Sequence, residues 1–358
     1  MRRAMDACVR VALEQNSYDL LLGRGGLTDA GAAILRATRA RRALLLTDSN
    51  VGPLYAPCVE SSLARSGIAS TRLTLPAGEA SKSLSCVRDI YEALIAGGVT
   101  RSDVLIALGG GVVGDVGGFA AATYLRGIRC VQLPTTLLAQ VDSAIGGKTG
   151  VDLAGGKNLV GCFHQPALVV IDPDALQTLP ESEFLSGMGE VIKYALTFDQ
   201  EMCAQLLAPD ARAQIDQLIL QSVKFKKALV EEDERDTGER MLLNFGHTLG
   251  HAIEAAQAFS GFSHGQAVAI GMCLITRLSE AANLSAPGTA QAVEDLVRRW
   301  HLPTSCPAPL LTGMRAALPL DKKNLNGRMN AVVLTKVGAG KIVAVPPDFF
   351  EKVFMWLR

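Results

Sequence analysis

The sequence predicts an α/β, nucleotide-binding amino-terminal domain followed by an all-helical carboxyl-terminal domain. Three observations carry the prediction. Short apolar runs in the first half stop at Gly or Asp, a dense glycine stretch follows one of them, and beyond residue 180 long amphipathic stretches take over. Buried parallel strands read as continuous apolar runs, with ligand loops at their carboxyl ends.

Taken in order, Arg42–Thr47 ends at Asp48, Asp103–Leu108 ends at Gly109–Gly111, and Leu168–Ile171 ends at Asp172. Each is read as a strand, although periodicity alone does not separate so short a run from a piece of helix. Ser83–Ala96 carries apolar residues at helical spacing. The second half reads as helices over Glu183–Ala195, Gln200–Leu207, Ala211–Leu229, Thr248–Ala258, Gly265–Ala282 and Ala290–Trp300. Leu179-Pro180 interrupts the chain, which sets the expected domains at 1–180 and 181–358, the second mainly helical. The cleft between two such halves is the expected place for a site.

Composition narrows the classes. A chain of 358 residues suits two domains or three at roughly 100–200 residues each. Thirty-five basic and 35 acidic residues balance, so no global positive field exists to draw nucleic acid. The eight cysteines are scattered with no CxxC pair, which argues against a disulfide framework. The amino terminus has no uninterrupted apolar stretch of signal-peptide length, and apolar runs elsewhere, such as Ala267–Leu274, are too short to span a membrane, so the cytoplasm is the expected compartment and no membrane partner is expected.

The chemistry-bearing residues cluster. Of five histidines, His247, His251 and His264 lie in Gly246-His247-Thr248-Leu249-Gly250-His251 and Ser263-His264-Gly265. His247 and His251 share a helical face, where they are either metal ligands or structural histidines. Thr248 follows His247, so the glutamate of the helical zinc-protease motif is missing. Glu190 lies in an apolar helical segment with Lys193, and two His plus a carboxylate would supply a catalytic ion with three protein ligands. The charged segment Asp233–Arg240 reads as a surface loop, unless Lys224, Lys226, Lys227 and Arg240 form an anion pocket. Gly109–Gly118 follows a predicted strand, so its amides suit a pyrophosphate. It is neither the G-x-G-x-x-G fingerprint nor a P-loop.

Several longer motifs coincide with one family. Pro134–Gly150 (PTTLLAQVDSAIGGKTG), Gly156–Gly161 with Phe163-His164-Gln165-Pro166, and Leu243–Thr248 with Gly250–Glu254 resemble the 3-dehydroquinate synthases. Recognisable blocks run from Asp48 to Asp321-Lys322-Lys323, in the family's order. Ala77-Gly78-Glu79, Gly187-Met188-Gly189-Glu190 and Gln266 depart from the commonest pattern without removing a proposed ligand.

The resemblance implies a dehydroquinate synthase-like fold, NAD and a divalent metal, zinc or cobalt, as cofactors, and a homodimer. It implies Glu190, His247 and His264 as metal ligands, His251 beside them in proton handling, and Glu254 as an outer partner of the cluster. It places Asp48, Asn50, Glu79, Lys82, Gly111, Gly114, Asp115, Thr135, Thr136, Asp142 and Thr178 at NAD, together with Lys148 and Lys157. Lys148, Lys157, Asn158, Lys193, Lys226, Arg240 and Asn244 match the substrate pocket, with Arg126 and Lys323 (or Lys322) on its phosphate side. The implied substrate is 3-deoxy-D-arabino-heptulosonate 7-phosphate, a small sugar acid whose carboxylate and phosphate suit clustered Lys and Arg. The implied reaction is transient oxidation at C5, loss of phosphate, re-reduction and an aldol closure. Three other readings remain: a cyclase for a different sugar phosphate, a metal-dependent polyol dehydrogenase, and a non-catalytic relative or binding protein.

Overall fold

The computed structural model describes residues 6–257, 261–318, 324–325, 328–346 and 348–356. These form two compact units: the first is Met1–Leu179 with Lys226–Arg235, and the second is Pro180–Phe225 with Asp236–Arg358. The ten-residue return of the chain to the first unit is not visible in a division at residue 180.

The first unit is built on a seven-stranded sheet among its described residues. Its strands are β1 (Ala7–Val11), β2 (Tyr18–Leu22), β3 (Arg42–Asp48), β4 (Ala69–Leu75), β5 (Val104–Gly109), β6 (Arg129–Pro134) and β9 (Leu168–Ile171), in the spatial order β1-β2-β9-β6-β5-β3-β4. β1 runs antiparallel to β2, and every other pairing is parallel. Alternate residues enter opposite cores: Leu45 and Ile106 face one, with α1 (Gly26–Thr38) and α2 (Gly52–Arg65). Leu44, Leu46 and Leu105 face the other, with α3 (Leu84–Ala96) and α4 (Gly111–Thr123). Burial on both faces explains why these strands read as unbroken apolar runs.

The chain leaves β3 for β4 on one side and places β5 on the other, so the connection reverses between β3 and β5. Such a switch point opens a crevice at the carboxyl ends of the strands. Asp48, Gly109 and Thr135 stand at or next to those ends. A separate antiparallel hairpin, β7 (Lys148–Leu153) with β8 (Gly156–Phe163), carries Lys148, Lys157 and Asn158. Sequence periodicity did not reveal it, because glycines and polar residues interrupt any alternation.

In the second unit, α5 (Glu181–Phe198), α6 (Gln200–Leu207), α8 (His247–Ala256), α9 (His264–Ala281) and α10 (Thr289–Arg299) lie close to the expected helices. The stretch expected as one helix from Ala211 is a 3-10 turn over Ala211–Gln214 followed by α7 (Ile215–Glu232). The expectation of an all-helical domain needs correction: β10 (Asn324–Leu325), β11 (Arg328–Lys336) and β12 (Ala339–Val345) form an antiparallel sheet. Val332, Val333 and Leu334 are buried there, and Gly338 turns the β11–β12 hairpin at φ 78°. The unit is largely helical, with this sheet added. No helix among the described residues is long and apolar enough to cross a membrane.

Candidate active site

Glycine contacts position the expected metal ligands. A Cβ on Gly265, at the start of α9, would lie 1.8 Å from the carbonyl oxygen of Ser186 in α5; one on Gly189 would lie 2.6 Å from the carbonyl oxygen of Gly265. The two helices therefore touch backbone to backbone, which no larger residue permits. Gly246 and Gly271 do the same between α8 and α9, since a Cβ on Gly271 would meet the Gly246 carbonyl oxygen at 2.0 Å. His247 opens α8 and His264 opens α9. Ser263 caps α9 in a reciprocal box with Gln266, whose side chain accepts from the Ser263 amide at 2.9 Å. Glutamine performs the role a glutamate has in such boxes, so this departure from the family pattern keeps the geometry.

These crossings bring Glu190, His247 and His264 together, with one donor atom of each within 4.8 Å of the others. Glu190 Oε1 lies 3.6 Å from His247 Nε2 and 3.5 Å from His264 Nε2. Ligands held about 2.0–2.2 Å from one tetrahedral ion stand roughly 3.3–3.6 Å apart, so the spacing suits a divalent cation. Glu190 is fully buried, and its Oε1 has no hydrogen-bond partner among the described residues, as an atom reserved for an ion would not. Its other oxygen accepts from Lys193 Nζ, itself 1% exposed. The two imidazoles are held by their far nitrogens: His247 Nδ1 is 3.2 Å from the Phe245 carbonyl oxygen, and His264 Nδ1 is 3.3 Å from Glu254 Oε2.

Burial and opposed charges shape the titration of this cluster. Burial alone would raise the Glu190 carboxyl, but Lys193 and the two histidines hold it well below the usual range. Burial, then the Lys193 charge, pushes His247 well below an ordinary imidazole. Burial acts the same way on His264, yet the Glu190 and Glu254 carboxylates outweigh it and raise the ring to about 10. His251, on the exposed side of α8, sits with its ring 5.5 Å from His247 and 6.1 Å from His264. Arg240 is buried at 1% exposure in the 3-10 segment Glu239–Asn244, which ends at Asn244 just before the His247 helix. The reading of Asp233–Arg240 as wholly surface is thereby corrected.

The first unit gathers the other expected residues. Asp48 Oδ1 accepts from the amides of Asn50 and Val51, at 2.8 and 2.9 Å, closing a tight turn after β3. Gly110 precedes α4 with no side-chain cap, so the first-turn amides from Gly111 onward have no acceptor within the helix. That end is suited to an anion. Gly114 instead packs on Gln132, where a Cβ would approach its side-chain oxygen to 2.9 Å. The hydroxyls of Thr47 and Thr135 are buried without a partner among the described residues, both beside the switch point. Thr136 accepts from the Ala139 amide at 3.2 Å.

Lys82 and Asp115 pair at 2.6 Å, and Glu79 and Lys157 at 3.2 Å. Burial raises Asp115 to about 6 against the opposing Lys82 charge. Lys226 donates to Asp142, and Lys227 pairs with Glu231 at 2.6 Å. Thr178 shares a 2.5 Å hydrogen bond with the Tyr55 hydroxyl. Lys148, Asn158 and Arg126 are exposed, Asn158 and Arg126 with positive φ. Lys322 and Lys323 lie outside the described residues.

A family model described as "3-dehydroquinate synthase N-terminal" matches residues 72–186, and one described as "3-dehydroquinate synthase C-terminal" matches 187–324. A 3-dehydroquinate synthase of Clostridium perfringens (strain SM101 / Type A) is 44% identical over 347 residues, covering 96% of this chain and 99% of its own. One of Streptococcus suis (strain 05ZYH33) is 43% identical over 343 residues, covering 94% and 97%. Among solved structures, a 2-deoxy-scyllo-inosose synthase complexed with carbaglucose-6-phosphate, NAD+ and Co2+ superposes with a TM-score of 0.87 at 26% identity, over 97% of this chain and 99% of that one. The 2-epi-5-epi-valiolone synthase of Streptomyces hygroscopicus subsp. jinggangensis 5008, with NAD+ and Zn2+ bound, gives 0.86 at 30%, over 97% and 98%. The chain belongs to the 3-dehydroquinate synthase family, within the sugar phosphate cyclase superfamily.

Proposed function

We propose that this chain is a 3-dehydroquinate synthase of the shikimate pathway, a carbon–oxygen lyase that converts 3-deoxy-D-arabino-heptulosonate 7-phosphate into 3-dehydroquinate and phosphate. The observation that carries the reading is the convergence of buried Glu190 and His247 with partly exposed His264, with Lys193 on the second carboxylate oxygen. The sequence likeness to named 3-dehydroquinate synthases, 40–44% against 25–30% for the cyclases of other names, favours this substrate over another sugar phosphate.

Glu190, His247 and His264 would hold zinc or cobalt, and the β3–β5 crevice with the α4 amino terminus would hold NAD. When bound, NAD supplies reversible hydride transfer and the ion supplies Lewis-acid stabilisation of negative charge on oxygen. The protein's own groups do the rest. Lys193 places a fixed positive charge beside the ligand carboxylate. His251 stands on the exposed side of the trio, where an imidazole can pass a proton to or from substrate. Arg240 and Asn244, with Lys148, Asn158 and Lys226, would bind the carboxylate and hydroxyls, and Arg126 with Lys323 the phosphate. Oxidation at C5 acidifies C6–H, phosphate leaves by β-elimination, the ketone is reduced again, and ring opening with an aldol closure forms the carbocycle. The enzyme is proposed to work in the cytoplasm as a homodimer.

Competition among substrates tests the reading. With NAD and zinc or cobalt present, the heptulosonate phosphate should release phosphate at least about 100-fold faster than sedoheptulose 7-phosphate or glucose 6-phosphate, a gap expected when buried polar groups lose their partners. Faster turnover of either sugar phosphate would assign a different cyclase.

A further inference from the structure

The β7–β8 hairpin is held in two different ways along its length. Its base is packed: Val151 is fully buried in the core that faces α4, and a Cβ on Gly118 of α4 would lie 2.4 Å from the Thr149 side chain. Beyond Val151, none of residues 152–160 is buried. Packing therefore does not fix the far end of the hairpin, which rests on hydrogen bonds and ion pairs instead. That end carries Lys157 and Asn158.

The strand pairing also breaks there. Val151 pairs with Val160 and Leu153 with Gly156, so the single residue Asp152 stands opposite Lys157, Asn158 and Leu159. Extra residues on one strand bend it and take side chains out of the regular alternation. Within this bulge Asn158 has φ 53°, a left-handed conformation that asparagine enters more readily than most residues. Asp152 bonds both ways at this point. Its Oδ1 accepts from the Asn158 amide at 2.7 Å, and its own amide donates to the Lys82 carbonyl oxygen at 2.8 Å. Lys157 has a separate anchor in Glu79, which opens the 3-10 turn just before Lys82.

We propose that Asp152 is a positioning residue for substrate: by holding the Asn158 amide it keeps the bulge in register and Asn158 left-handed, and so presents the Asn158 side chain. It rests on the reading of Asn158 as a substrate ligand. A bulged amide has no partner in the strand opposite, and a carboxylate satisfies it with a charge-assisted bond. The competing use of Asp152 is its charge, since it stands with Asp115 and Glu79 around Lys82, where burial and then Asp115 weigh most. Asparagine at position 152 keeps an oxygen for the Asn158 amide and removes the charge, so the two uses give opposite results for Asp152→Asn.

Phosphate release from 3-deoxy-D-arabino-heptulosonate 7-phosphate is measured with NAD and zinc for wild type, Asp152→Ala, Asp152→Asn, Asn158→Ala and Asp152→Ala/Asn158→Ala. NAD affinity and melting temperature are recorded for each. Asp152→Ala should raise KM for the sugar phosphate about 10–100-fold, with kcat and NAD affinity changed less than about threefold. Its melting temperature should match wild type, because the far end of the hairpin is exposed. Asp152→Asn should return KM to within about threefold of wild type. The double variant should be no worse than Asn158→Ala, because Asp152 acts through that residue.

Wild-type KM in Asp152→Ala, or Asp152→Asn as impaired as Asp152→Ala, would overturn the proposal and leave the assigned reaction standing. Additive losses in the double variant, or wild-type kinetics in Asn158→Ala, would do the same. Joint loss of sugar phosphate binding, NAD affinity and thermal stability in Asp152→Ala, or its failure to fold, would make Asp152 a support of the whole hairpin and overturn the proposal. Wild type that releases no phosphate would overturn both the proposal and the reading beneath it.

Discussion

Gly265 is pressed against Ser186: its amide donates to the Ser186 hydroxyl at 3.2 Å, and a Cβ on it would lie 1.8 Å from the Ser186 carbonyl oxygen. This contact locks the start of α9, and with it His264, against the helix that carries Glu190. Gly265→Ala should force the helices apart, lowering stability by about 1–3 kcal/mol and weakening zinc binding as well. Thermal unfolding and metal titration check this. A variant with wild-type values in both would show that the helix contact does not set the ligand geometry.

Glu190 Oε1 is a buried atom without a hydrogen-bond partner among the described residues, 3.6 and 3.5 Å from the Nε2 atoms of His247 and His264. Glu190→Gln should bind zinc more than about 100-fold more weakly, since it loses a ligand charge and leaves the buried Lys193 without its carboxylate. Chelation of the wild type should stop phosphate release, and added zinc or cobalt should restore it. Full activity in metal-free protein would remove the ion from the account.

Asp103 ties the entrance of β5 to that of β3. It accepts from the Thr100 amide at 2.9 Å, the Thr100 hydroxyl at 2.8 Å, and the amides of Arg42 and Arg41 at 2.9 and 3.3 Å. Burial alone would raise its carboxyl, but these hydrogen bonds hold it below its ordinary value of 3.8. A depressed acid stabilises the fold above the unfolded pKa and loses that contribution as pH falls through the folded one. Asp103→Asn should therefore cost about 1–3 kcal/mol at neutral pH, by urea unfolding. The difference from wild type should hold down to about pH 5 and shrink only below about pH 4. A difference that vanished near pH 6 would contradict the assignment.

Lys82 and Asp115 form a poorly exposed ion pair, 2.6 Å apart and 6% and 19% exposed. Lys82→Met should destabilise the protein by about 1–3 kcal/mol, because it strands Asp115 in a place that already disfavours its charge. The double variant Lys82→Met/Asp115→Asn should melt closer to wild type than the single one. Equal melting temperatures for the two variants would show that the stranded carboxylate carries no penalty.

Much of the fold was legible because parallel strands buried on both faces leave unbroken apolar runs, as at Arg42–Asp48 and Leu168–Ile171. The rule that a strand ending at Asp marks a ligand loop separates into two cases. Asp48 closes a turn beside the switch point, whereas Asp172 caps α1, accepting from the amides of Gly25 and Leu27 at 3.0 Å each. Nothing in the local sequence distinguishes them. The β11–β12 hairpin went unread although Val332, Val333 and Leu334 precede Gly338, because the surrounding helices set the expectation. The ligand trio could not come from periodicity, since Glu190, His247 and His264 sit on three helices. The sign in the sequence was the glycine beside each: Gly189, Gly246 and Gly265 mark the places where those helices touch.

The most direct test of the account follows phosphate release from 3-deoxy-D-arabino-heptulosonate 7-phosphate together with absorbance for NADH, with NAD and zinc or cobalt added singly and together. The account predicts stoichiometric phosphate and 3-dehydroquinate only when both are present, with no net NADH. Accumulation of NADH without phosphate, after metal and NAD occupancy have been verified, would contradict it and point to a dehydrogenase.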